Sequence, residues 1–156
     1  MPGQKVVTDR QEDYVQRIAD GWTASEIAAK FGAKPASVKA TLGRARLRLG
    51  VPACADTVLV AAACMFDAIW ISAPSAQRVD VPERLRYLLD PVSAGVQALE
   101  IAGDRSVPYL AVVADHQRLR RLMQARTQAH LVARLWQDEL APTASGRARR
   151  TPGGSA

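Results

Sequence analysis

Apolar positions recur at helical spacing along most of the chain, and glycine and proline interrupt them at short intervals. Thr8 makes a good N-cap, and Asp9 and Glu12 follow it in a first turn where carboxylates favour the helix dipole. The first helix therefore runs to about Asp20, burying Tyr14, Val15 and Ile18, and stops at Gly21. A second begins near Thr23 or Ser25, buries Ile27, Ala28 and Phe31, and ends at Gly32 as a left-handed C-cap. Pro35 fits the first turn of a third helix over about 35–49. There Val38, Leu42, Ala45 and Leu49, spaced by four, three and four, fall on one stripe at about 100° per residue. Ala36, Lys39, Ala40 and Gly43 lie roughly opposite, with Arg44 and Arg46 on the flanks, and Gly50 closes the helix.

A fourth helix is expected over about 53–69. It is rich in alanine, and only Asp56 and Asp67 carry charge. A helix that apolar is buried, either in its own chain or against a second copy. Pro74 and Ser75 mark a linker. Pro82 then opens a run in which Leu85, Leu89, Val92, Val96 and Leu99 form a packing seam, and Pro91 and Gly95 divide it into two short helices near Asp90. Residues 109–114 read as a buried strand or as the start of a helix. A long basic helix over about 115–140 carries Leu119, Leu122, Met123, Val132, Leu135 and Trp136. Beyond Pro142 the tail is rich in Gly, Pro and Ser, holds three arginines, and is expected to be disordered. The expected organisation is all-α, with regions 1–71, 72–140 and 141–156.

Charge sharpens this picture because it is local. The net charge of +6 is concentrated in one helix and one tail. From 34 to 49 there are five basic residues, Lys34, Lys39, Arg44, Arg46 and Arg48, and no acid. Such a helix, delivered by a tight turn from a preceding one, suits phosphate attraction and insertion into a duplex groove.

Other chemistry is thin. Cys54 and Cys64 lie too far apart on one predicted helix to be bridged within it, and no Cys/His metal spacing occurs; they read as reduced packing residues. His116 and His130, fourteen apart on one long helix, would stand some 20 Å apart and cannot share a metal. Asp115 beside His116 has no nucleophile or glycine-rich loop with it, so neither catalysis nor a cofactor is expected. Trp22 reads as a staple over the corner of the first two helices, and Trp70 and Trp136 as core or interface anchors. No charged segment followed by an apolar run begins the chain, and the longest apolar run, 57–65, is too short to span a bilayer. A soluble, cytoplasmic protein with no membrane partner is the expectation.

The stretch from 7 to 58 resembles the LuxR-type (GerE-type) helix-turn-helix, matching it without a gap. Thr8, Arg10, Glu12, Val15, Ile18, Ala19 and Gly21 fit that family's first helix; Ser25, Glu26, Ile27 and Ala28 fit its second, with Phe31 in the usual leucine position. Ser37, Val38 and Lys39 stand where the family has Thr-Val-Lys, and Leu49, Gly50 and Val51 match its Leu-Gly-Val closure. Val58 and Ala61 fit the fourth helix. The resemblance implies a four-helix module whose third helix enters the major groove and whose fourth commonly mediates dimerisation. Carried over by position, Lys39, Ala40 and Gly43 would face the bases, and Ala36, on the same outward side, joins the DNA-binding set. Lys34, Ser37, Thr41, Arg44 and Arg46 would border the groove and hold phosphates.

The expected function is thus sequence-specific reading of double-stranded DNA by a small transcriptional regulator, as a homodimer, with 80–140 available to a protein partner. Two other readings share these parts. A bacteriophage small-terminase-like subunit also combines a leading helix-turn-helix, a helical oligomerisation region and a flexible tail. The third reading is a helix-turn-helix that binds protein and not DNA.

Overall fold

The computed structural model describes residues 5–52, 54–71 and 79–141, and every regular element among them is helical. In chain order these are α1 (Asp9–Ala19), α2 (Ala24–Phe31), α3 (Pro35–Arg48), α4 (Asp56–Met65), a 3-10 turn (Glu83–Leu88), α5 (Leu89–Ser93), α6 (Ala98–Arg105), α7 (Tyr109–Leu122) and α8 (Gln128–Gln137). Local chemistry sets the first boundaries. Thr8 Oγ1 accepts from the Gln11 N–H while Gln11 Oε1 accepts from the Thr8 N–H, and Thr23 and Glu26 repeat this reciprocal cap on α2. Gly32 ends α2 at φ 64°, as expected of a left-handed cap. Lys34 supplies no capping bond to α3, which begins instead on Pro35.

The buried side chains form two cores. The first gathers Tyr14, Val15 and Ile18 of α1, Ile27 and Ala28 of α2, the Val38–Leu42–Ala45 stripe of α3 and most of α4. The second holds Leu85, Leu88, Val92, Ile101, Val112, Leu119 and Met123. Helix α8 belongs to both. Its Ala129 and Val132 complete the first core, and its Leu131 and Leu135 complete the second. It lies mainly against α4, and also against α1 and α5. The apolar α4 is thus covered by its own chain, which decides between the two ways it might have been buried. Polar ties hold α8 on α5 and join α4 to the C-terminal half at the same seam. Trp136 Nε1 donates to the Ser93 carbonyl at 3.0 Å, and Thr57 Oγ1 donates to the Gly95 carbonyl at 3.2 Å.

Several sequence expectations are corrected here. The helix expected over 115–140 is two helices. Residues 109–114 start α7, Gln124 takes φ 53° after its end, and Thr127 restarts the chain by accepting from the His130 N–H. Capping by Thr127 was legible in the sequence but masked by continuous apolar periodicity. His116 and His130 therefore sit on different helices. The helix expected over 53–69 spans only Asp56–Met65, its proposed start at Ala53 lying outside the described residues. Pro91 is third in α5, where a missing N–H costs no intrahelical bond, so the break comes at Gly95 rather than near Asp90. Leu99 is 71% exposed, so the seam ends before it. Phe31 is not buried but 41% exposed, its ring meeting Tyr14 edge-on at 5.3 Å. Trp70 is exposed, so it is not a core anchor of this chain. The expected linker residues Pro74 and Ser75 and the tail from 142 lie outside the described residues.

Candidate nucleic-acid interface

Helix α3 is held by one stripe. Val38, Leu42, Ala45 and Leu49 are buried, and the helix packs on α1 and α2. That docking turns Lys34, Ala36, Ser37, Lys39, Ala40, Arg44, Leu47 and Arg48 outward, all exposed, with Gly43 half-exposed between them. No described element of the C-terminal half packs across this face. Among the described residues Lys34, Lys39 and Arg48 pair with no carboxylate, and α3 contains no acid. The result is a cationic, open helix face on a short turn from α2.

Two of the residues expected at a groove do not face outward. Thr41 is only 7% exposed, because at about 100° per residue it falls beside the buried stripe; its Oγ1 accepts from Arg44 Nη2 at 3.1 Å. Arg46 is turned along the protein instead of away from it. Its guanidinium donates to Asp56 in the first turn of α4, with 16% of its side chain exposed. It joins α3 to α4 and is not a free cation. Lys34, Ala36, Ser37, Lys39, Ala40, Gly43 and Arg44 do share one accessible side.

Leu47 and Arg48 share that side as well and were not among the expected interface residues. Leu47 is 66% exposed. Its angular position was available from the sequence, since 36, 40, 43 and 47 repeat the four-three-four spacing of the buried stripe on the opposite meridian.

Behind this face the first corner of the fold is braced. The Arg17 guanidinium lies 4.6 Å over the Trp22 ring, consistent with a surface staple. The Glu26 carboxylate sits below its usual range because it accepts from the Thr23 backbone N–H and, more weakly, from Arg126 at 3.4 Å. Gly21, at φ 92°, presses on His130, whose Nδ1 would lie 2.9 Å from any Cβ there. Cys64 is buried in the first core, and burial pushes its thiol up to about 12, which leaves it protonated and unreactive. No cluster of three metal-ligating side chains occurs among the described residues, and no described helix is long and apolar enough to cross a membrane.

No family model, curated protein or solved structure matches this chain.

Proposed function

We propose that this protein reads double-stranded DNA by placing α3 in the major groove, and that it acts as a transcriptional regulator. One observation carries the reading: the side of α3 opposite the core is exposed, free of acids and unobstructed by the rest of the described chain. Ala36, Ala40 and Gly43, with Lys39 beside them, would approach base edges, while Lys34, Ser37, Arg44 and Arg48 hold phosphates along the opposite flank from Lys39. The resemblance of residues 7–58 to the LuxR-type helix-turn-helix supports the same placement. Because α8 covers α4, a two-fold dimer would use another surface, and its two α3 helices would address half-sites about one helical turn apart.

Selection of duplexes from a random pool, followed by titration at several salt concentrations, tests this directly. A preferred sequence should emerge, and affinity should fall steeply with salt as counterions are released. Replacing Lys39 by alanine should weaken specific binding by roughly 1–3 kcal/mol while leaving thermal stability unchanged, because Lys39 is exposed and unpaired. Failure to retain any duplex at low salt would refute the proposal.

A further inference from the structure

The outward meridian of α3 is made of Ala36, Ala40, Gly43 and Leu47, which fall within about 60° of arc and span roughly 16 Å. None of these side chains has a hydrogen-bonding atom. The cations stand to either side, Lys39 on one flank and Arg44, Arg48 and Lys34 on the other. Gly43 adds a second observation. It lies inside a 14-residue helix, its φ is not positive, and a Cβ built on it meets nothing within 4 Å. Nothing within the described chain requires glycine there, although glycine weakens a helix interior relative to alanine. A residue that the fold does not need, at the centre of an exposed apolar strip between cations, fits a close approach to a body outside the chain. The flanking charge makes that body a polyanion.

Resting on the DNA-reading function proposed above, we infer that α3 discriminates its site chiefly by apolar contact with C5-methyl groups on the major-groove floor. Thymine carries that methyl, and cytosine lacks it unless methylated. The four meridian residues can touch methyls and cannot replace hydrogen bonds that a base edge loses to water. A thymine-rich core, read by contact and not by bidentate pairing, is the site chemistry that suits them. Leu47, the largest of the four and 66% exposed, supplies most of the contact area at the C-terminal end of the strip.

Four synthetic duplexes test this with the full chain: alternating adenine–thymine, adenine–uracil, guanine–cytosine and guanine–5-methylcytosine. Within each pair only the methyl differs. Binding should be about fourfold tighter for each methyl contacted, the equivalent of burying one methyl group, with the salt dependence unchanged. Leu47→Ala should lose about fourfold on the thymine duplex and nothing on the uracil one, and its melting temperature should match the parent's. Equal affinity within each pair, or a Leu47→Ala loss that ignores the methyl, overturns methyl reading and leaves DNA binding intact. Absence of binding to all four at low salt overturns both proposals.

Discussion

Gly43 offers the sharpest test of the open face, because stability and binding should move in opposite directions there. The residue is ninth of fourteen in α3, so the full interior penalty applies, about 0.8–1.0 kcal/mol for glycine relative to alanine. An added methyl meets no heavy atom within 4 Å, so no steric cost offsets the gain. Gly43→Ala should therefore raise unfolding free energy by about 1 kcal/mol, or roughly 3 °C in melting temperature for a chain of this length. Gly43→Leu should keep most of that gain, since leucine is nearly as good a helix former as alanine. Its bulk, however, stands where the α3 backbone must approach the groove floor, and duplex affinity should fall by at least about tenfold, one lost contact's worth. Urea unfolding and fluorescence anisotropy on the same preparations measure both quantities. A destabilised Gly43→Ala would mean that the face is not open. Undiminished duplex binding by Gly43→Leu would mean that nucleic acid does not lie on this meridian.

Two further predictions concern the seam between the halves, and a third concerns pH. A chain of residues 1–71 alone should not unfold cooperatively, because removing α8 uncovers α4 and one side of α1; a sharp thermal transition for that fragment would contradict the shared core. Gly95→Ala should destabilise by more than about 2 kcal/mol, since φ is 83° and a Cβ would sit 2.7–2.9 Å from the backbone of Val58 and Thr57, which cannot yield as a side chain would; a shift in urea midpoint near zero would show that the approach is looser. Stability should also decline as pH drops below the ordinary histidine value of 6.5. Burial, aided by Arg120, holds the His116 imidazole below that value, and His130 shifts the same way. The unfolded chain therefore takes up protons first, so stability is complete above 6.5 and is lost below it. Replacing His116, whose buried Nε2 has no hydrogen-bond partner, by leucine should flatten the difference between unfolding at pH 7.5 and pH 5.5.

Local chemistry made the first half of this chain legible. The Thr8 cap, the Gly32 terminator and the Val38–Leu42–Ala45–Leu49 stripe act within a few residues, so spacing along the chain is enough to reveal them. Thr23 was readable in the same way. Expectations failed where two elements compete for one surface. The apolar pattern over 115–140 is continuous because α7 and α8 both face the second core, so periodicity alone could not show that the chain turns between them. Thr41 and Arg46 were placed at the groove by position in the family resemblance, although the angle of Thr41 on α3 already sets it beside the buried stripe. Only the neighbouring α4, with Asp56 at its first turn, shows that Arg46 is spent on a contact inside the protein.

What the sequence determined by itself is a succession of amphipathic helices, the ends of the first two, and a third helix with one buried and one cationic side. Those follow from backbone capping and from the 3.6-residue repeat, which are properties of adjacent residues. The tertiary structure alone decided how α4 is covered, that α8 is shared by two cores, and which cations on α3 remain free. Those outcomes depend on which surfaces meet across as many as a hundred residues of chain, as Glu26 and Arg126 do, and no local periodicity records such a meeting.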